Sequence, residues 1–155
     1  MNESNSSKLI VPGVAGMYET LSNFAMPLMR VVLGLALVPH GAQKLFGWFG
    51  GGGIEGTAKF FASVNLEPAM PMVIGAGFVE FFCGIALAIG FLTRIAGAGI
   101  TILAIVALVT YNIPRGFWVS HGGAEHMILV LVIGFVFFVH GGGKLSVDRM
   151  IGREF

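Results

Sequence analysis

An uncharged run of nineteen residues, Ile95–Ile113, constrains this chain more than any other feature. A helix needs about 20 mostly apolar residues to cross a bilayer core of ~30 Å. Two further stretches meet that length: Pro68–Leu92, whose single charge is Glu80, and Ala25–Phe46, which carries Arg30, His40 and Lys44. A fourth, Met127–Val139, is apolar but short. It spans only if residues 124–126 and 140–143 sit in the interfaces. Runs such as Ile102–Val109 do not alternate polar with apolar residues, as barrel strands would. Helices satisfy their own backbone groups in lipid, so these spans are expected to be helical. The expected fold is an all-α membrane protein, an antiparallel bundle of four transmembrane helices over about 25–46, 68–92, 95–113 and 124–142. A polar N-terminal tail (1–24) precedes the 25–143 membrane domain, and a cytoplasmic C-terminal tail (144–155) follows it.

Composition supports this reading. Of 155 residues, 55% are hydrophobic and 11% charged, against roughly 25% charged in a soluble domain. So few charges cannot cover a soluble surface, which excludes a soluble enzyme. A net charge of +1 leaves no basic footprint for nucleic acid. The first 24 residues hold Lys8 as their only positive charge and lack the pattern of a cleaved signal peptide. The first helix is therefore expected to act as an uncleaved insertion signal.

Lys and Arg counts in short loops set orientation. Lys8, Arg94, Lys144, Arg149 and Arg153 fall on one side, and Lys59 and Arg115 on the other. Both termini are thus expected in the cytoplasm, with the chain in the cell (inner) membrane. Trp48 and Trp118 fit an aromatic belt on the opposite face. Within the longest loop, Phe60, Phe61 and Val64 recur at helical spacing, so Ile54–Asn65 is expected to lie at the interface as a short helix.

Charges in hydrocarbon are costly and usually face the bundle interior. At 100° per residue, Arg30, His40, Lys44, Gly34 and Gly41 share one face of the first helix. Gly77, Cys83 and Gly84 lie on the Glu80 face of the second. Small residues allow close approach, so the two faces are expected to meet. Depth counted at 1.5 Å per residue makes His40 and Arg30 the expected partners of Glu80, and pairs Lys44 with Glu125. The same residues also admit a plain structural reading: Arg30 snorkelling to headgroups, Lys44 complementing a helix C-terminus, and Glu80 fixing helix register. Pro39 frees the Leu35 carbonyl beside His40.

Other motifs fail on spacing. His121 to His126 reads H-x3-E-H, neither of the zinc-helix patterns, so no metal site is expected. His40 and His126 come closest to a common depth, a weak basis for haem. The glycine-rich loops do not follow phosphate-loop spacing. Cys83, alone in an apolar span, reads as a packing residue.

Three blocks together resemble the DoxX family of small four-helix membrane proteins. They are Arg30–Gly34 running into His40–Lys44, Gly77–Gly84 continuing to Gly90–Arg94, and His121–Glu125 followed by Gly143–Asp148. The resemblance covers about Met29 to Met150. Gly142 departs from it, standing where similar sequences often carry proline. The family takes its name from a subunit of a quinone-linked sulfur oxidoreductase, and many relatives carry an oxidoreductase label without an established activity.

The resemblance implies fold more than reaction. Two functions are carried forward. In the first, the chain is a membrane subunit of a quinone-linked oxidoreductase complex. His40 and Lys44 would donate to a quinone carbonyl and Glu80 would relay a proton, with His40 and Glu80 the catalytic candidates. Arg30 and Glu125 would belong to a structural polar core. No covalent cofactor is expected. Electrons would come from a soluble or membrane redox partner, because no flavin, nicotinamide or iron–sulfur motif is present. In the second, the chain is a scaffold or small-solute carrier in the lipid, possible also as a homo-oligomer.

Overall fold

The computed structural model describes residues 10–153. Lys8, with the first nine residues of the polar segment 1–24, lies outside the described residues, as does Phe155. Among the described residues every regular element is a helix. Three helical segments are long and apolar enough to cross a membrane: Ala15–Phe46, Ala69–Ile89 and Thr93–Arg115. A shorter apolar helix, Glu125–His140, follows.

The first helix, α1 (Ala15–Phe46), has 32 residues and is about 48 Å long at 1.5 Å per residue. It starts at Ala15, not near 25. Polarity misled the expectation, because the side chains that make this stretch polar bond back onto their own helix. Thr20 Oγ1 donates to the Gly16 carbonyl at 2.9 Å and Asn23 Nδ2 to the Glu19 carbonyl at 3.0 Å. The helix continues through Pro27 and Pro39 and ends at Gly47, whose φ of 70° suits a glycine cap.

The expected interfacial helix is α2 (Gly53–Ser63). The second span is built from α3 (Ala69–Phe78), one wide π turn (Val79–Cys83) and α4 (Gly84–Ile89). The third is α5 (Thr93–Ala107), continued by a second π turn (Leu108–Asn112) and a single 3₁₀ turn to Arg115. The apolar helix Glu125–His140 is α6. Its 16 residues cover about 24 Å.

Two tightly packed pairs make the bundle. α5 and α6 form the most extensive contact, and α1 packs along the second span. Glycines set both. A Cβ on Gly34 would stand 2.5 Å from the Gly84 carbonyl oxygen and 2.7 Å from the Ala88 nitrogen. A Cβ on Gly97 would stand 2.8 Å from the Gly134 carbonyl oxygen. The small-residue face of α1 therefore meets that of the second span, as expected from the helical wheel. Leu33, Leu37, Leu87, Ile100, Val130 and Phe137 fill the shared core. Leu28, Val32, Leu35, Ile102, Val109 and Leu129 point outward and are exposed, as side chains facing lipid tails would be.

Residues 144–150 are not a free tail. They fold into α7 (Val147–Met150), capped by Ser146, and dock under the Gly90 turn. The Asp148 amide donates to the Gly90 carbonyl at 2.9 Å. Gly90 sits at φ 73°, and a Cβ there would collide with the Arg30 guanidinium and Ser146.

Candidate functional site

Two buried polar clusters lie at opposite ends of the bundle. The first surrounds Arg30, which is 3% exposed. Its Nη1 donates to the Gly142 carbonyl at 2.5 Å and its Nη2 to the Leu145 carbonyl at 2.6 Å. Asp148, 1% exposed, accepts from the Leu92 amide at 2.8 Å, the Thr93 amide at 2.9 Å and the Thr93 hydroxyl at 2.7 Å. Leu92 has a φ of 50°, in the left-handed region. Asp148 holds that strained residue in place and puts a carboxylate at the N-terminus of α5, where the helix dipole favours it. The Arg30 guanidinium nitrogens Nη1 and Nη2 and the Asp148 carboxylate all bond to backbone groups, while Arg30 Nε is buried without a hydrogen-bond partner among the described residues. Arg30 is therefore a structural staple, and it is not the partner of Glu80 expected above.

The second cluster is of another kind. Lys44 Nζ lies 2.6 Å from Glu80 Oε2 and 2.9 Å from Oε1. Glu80 faces α1, inside the bundle, in the π turn Val79–Cys83. The expected Lys44–Glu125 pair does not form. Glu125 is half-buried at the start of α6. His40 is exposed and makes no hydrogen bond to Glu80 among the described residues.

The change of partner has a geometric cause. A Cβ on Gly77 would meet Leu45, and one on Gly41 would meet Phe81 and the Gly77 carbonyl. The second span therefore stands further out than a count from Pro68 implies, which raises Glu80 to the level of Lys44. Counting from loop ends assumed that α1 and α3 start level. The contacts of Gly41 and Gly77 break that assumption.

The Lys44–Glu80 pair borders a cavity of about 560 Å³. The second and third spans meet around the Val79–Cys83 turn but hardly touch where α3 faces α5, and the cavity fills that gap. Its walls are mostly apolar: Phe61, Leu66, Val79, Leu103, Val106 and Met127 among them. Phe60 of α2 lies over its edge, with its ring 5.9 Å from that of Tyr111. Arg115 in turn stacks on Tyr111, its guanidinium carbon 3.7 Å from the ring centre. Lys44, Glu80 and Asn112 line the cavity, as do the hydroxyl-bearing Thr110 and Tyr111. Each π turn thus contributes to this polar lining: Glu80 from Val79–Cys83, and Thr110, Tyr111 and Asn112 from Leu108–Asn112. Wide turns of this type often occur at functional sites.

Ligand cavities commonly measure 300–1,000 Å³, with apolar walls and a few convergent polar groups, and this one has those properties. No cluster of three or more His, Cys, Asp or Glu side chains suited to a metal occurs among the described residues.

The DoxX family profile matches residues 25–113. The chain belongs to the DoxX family. Relatives within reach of sequence comparison are membrane or oxidoreductase proteins by name. One is the Bacillus subtilis protein named "Putative oxidoreductase CatD", 31% identical over 124 residues, covering 80% of this chain and 84% of that protein. Another is the uncharacterised membrane protein Rv3486 of Mycobacterium tuberculosis, 29% identical over 143 residues, covering 81% of this chain and 80% of that one. No solved structure matches significantly. In this DoxX chain the matched segment contains Lys44, Glu80, Thr110, Tyr111 and Asn112, the polar residues that line the cavity. Gly142, the departure from the family pattern, offers its carbonyl to Arg30, and a Cβ there would crowd Thr93 and Ser146.

Sequence reasoning found Lys44 and Glu80 as intramembrane charges but missed Asn112, which reads as a polar residue at the end of a span. It also missed the cavity, because no periodicity signals where two helices diverge.

Proposed function

We propose that this DoxX protein is a membrane subunit of a quinone-linked oxidoreductase complex, with four membrane crossings, and that the cavity between the second and third spans takes the quinone head. The observation that carries the reading is the pairing of an apolar cavity of about 560 Å³ with Lys44 and Glu80 at its polar end. A lipid-soluble ring needs apolar walls, and its carbonyls need a donor that the surrounding hydrocarbon lacks. Lys44 supplies the donor in place of His40, which does not line the cavity.

Reducing a quinone to a quinol takes two electrons and two protons. The electrons come from a redox partner protein. The protons enter through Glu80 and Lys44 from the membrane face that carries Trp48 and Trp118. Both termini lie on the opposite, cytoplasmic face. The name of the Bacillus relative supports an oxidoreductase role and gives no substrate.

The test is binding of a short-chain quinone to the protein in lipid nanodiscs, for the wild type, Lys44→Met and Glu80→Gln. Binding by the wild type that falls at least tenfold in folded Lys44→Met supports the site. Absence of binding by the wild type overturns it.

A further inference from the structure

Asn112 is 9% exposed and lines the cavity. Its Nδ2 donates to the Gly122 carbonyl at 2.9 Å and to the Gly123 carbonyl at 3.3 Å. Two carbonyls on one amide nitrogen fix which way the side chain faces, since the opposite orientation would set oxygen against oxygen. Asn112 Oδ1 is consequently turned away from the loop. It is buried and has no hydrogen-bond partner among the described residues. Buried acceptors are rarely left unpaired, and a specific exception calls for a cause.

Resting on the quinone reading above, we infer that Asn112 Oδ1 is the acceptor for a ligand hydroxyl, so that the cavity selects the quinol over the quinone. Lys44 and Asn112 differ in kind. Lys44 donates, and either a carbonyl or a hydroxyl oxygen can accept from it. Asn112 Oδ1 only accepts, and a quinone has no hydrogen to give. A quinol can satisfy both groups, and a quinone only Lys44. Sites built to bond a hydroxyl discriminate strongly against the analogue that lacks it, because their own polar atom is then left bare.

The expected preference is about tenfold or more in dissociation constant. Tighter binding of the reduced form stabilises it, so the midpoint potential of the bound couple rises. Tenfold corresponds to about 30 mV for a two-electron couple. The site would thus favour reduction of membrane quinone by the partner protein over oxidation of quinol.

Three short-chain probes distinguish the outcomes on the wild-type protein in nanodiscs: a benzoquinone, its quinol under anaerobic conditions, and the dimethyl ether of that quinol. Expected is binding of the quinol about tenfold tighter than of the other two, with the ratio falling towards one in Asn112→Ala. Should Asn112→Ala fail to fold, the wild-type ratio with the ether control decides alone. Equal affinity for quinone and quinol would assign Oδ1 to water and overturn the inference while leaving the quinone site standing. Binding of none of the three would overturn both.

Discussion

Lys44 occupies both carboxylate oxygens of Glu80, at 2.6 and 2.9 Å, from a helix 36 residues away in sequence. One cation thus closes the polar end of the cavity and couples α1 to the second span. The side chains are 21% and 10% exposed, so the pair is largely withdrawn from solvent.

Removing one partner therefore strands the other. Lys44→Met is expected to cost about 3 kcal/mol, as for a broken buried pair. The double variant Lys44→Met/Glu80→Met should recover most of that loss, because an apolar pair of similar volume is often neutral. Unfolding midpoints of the purified protein in mild detergent check both. A single variant as stable as the wild type would show that the pair contributes nothing.

The Arg30 end predicts the opposite balance. Asp148→Ala removes three hydrogen bonds and the anchor of Leu92 at φ 50°. A loss of about 3 kcal/mol is expected from bonds to a charged acceptor. Quinone affinity of the folded fraction should stay within twofold of wild type, since neither Arg30 nor Asp148 borders the cavity. An affinity loss in folded Asp148→Ala would join the two clusters into one functional unit.

How much of this was legible in the sequence differs between the ends of the bundle. The spans were legible because lipid demands long apolar runs, and the glycine faces because 3.6-residue periodicity survives in α1. The pairing of Glu80 was not. It depends on how far the second span protrudes along α1, a register set by the contacts of Gly41 and Gly77 that no local pattern encodes. The π turns at Val79–Cys83 and Leu108–Asn112 add a further shift, because a wheel drawn at 100° loses register across each. Asp148 stood in a recognisable block, but its role as a clasp on Leu92 and Thr93 joins segments 55 and 56 residues apart.

Topology is predicted from charge. Lys and Arg crowd the loops on the side of both termini. Fusing a reporter active only outside the cytoplasm should give signal within Gly50–Gly53 and none at Phe155. Signal at Phe155 would reverse the orientation and place the Lys44–Glu80 end on the cytoplasmic face.

The cavity can be closed without disturbing its polar groups. Gly75 borders it, and a Cβ added there meets nothing within 4 Å. It lies inside α3, where glycine is a poor helix former, so Gly75→Ala should stabilise by about 0.5–1 kcal/mol. Gly75→Phe should keep the helix and place a ring in the space proposed for the quinone head. The expected result is a melting temperature equal to or above wild type together with a loss of quinone affinity of tenfold or more. The combination matters, because a variant that binds worse only by unfolding would melt lower. Gly75→Ala serves as the control: its single methyl leaves most of about 560 Å³ open, and binding should persist. Full quinone affinity in stable Gly75→Phe would place the ligand elsewhere, and the Lys44–Glu80 pair would then be a helix staple like the one at Arg30.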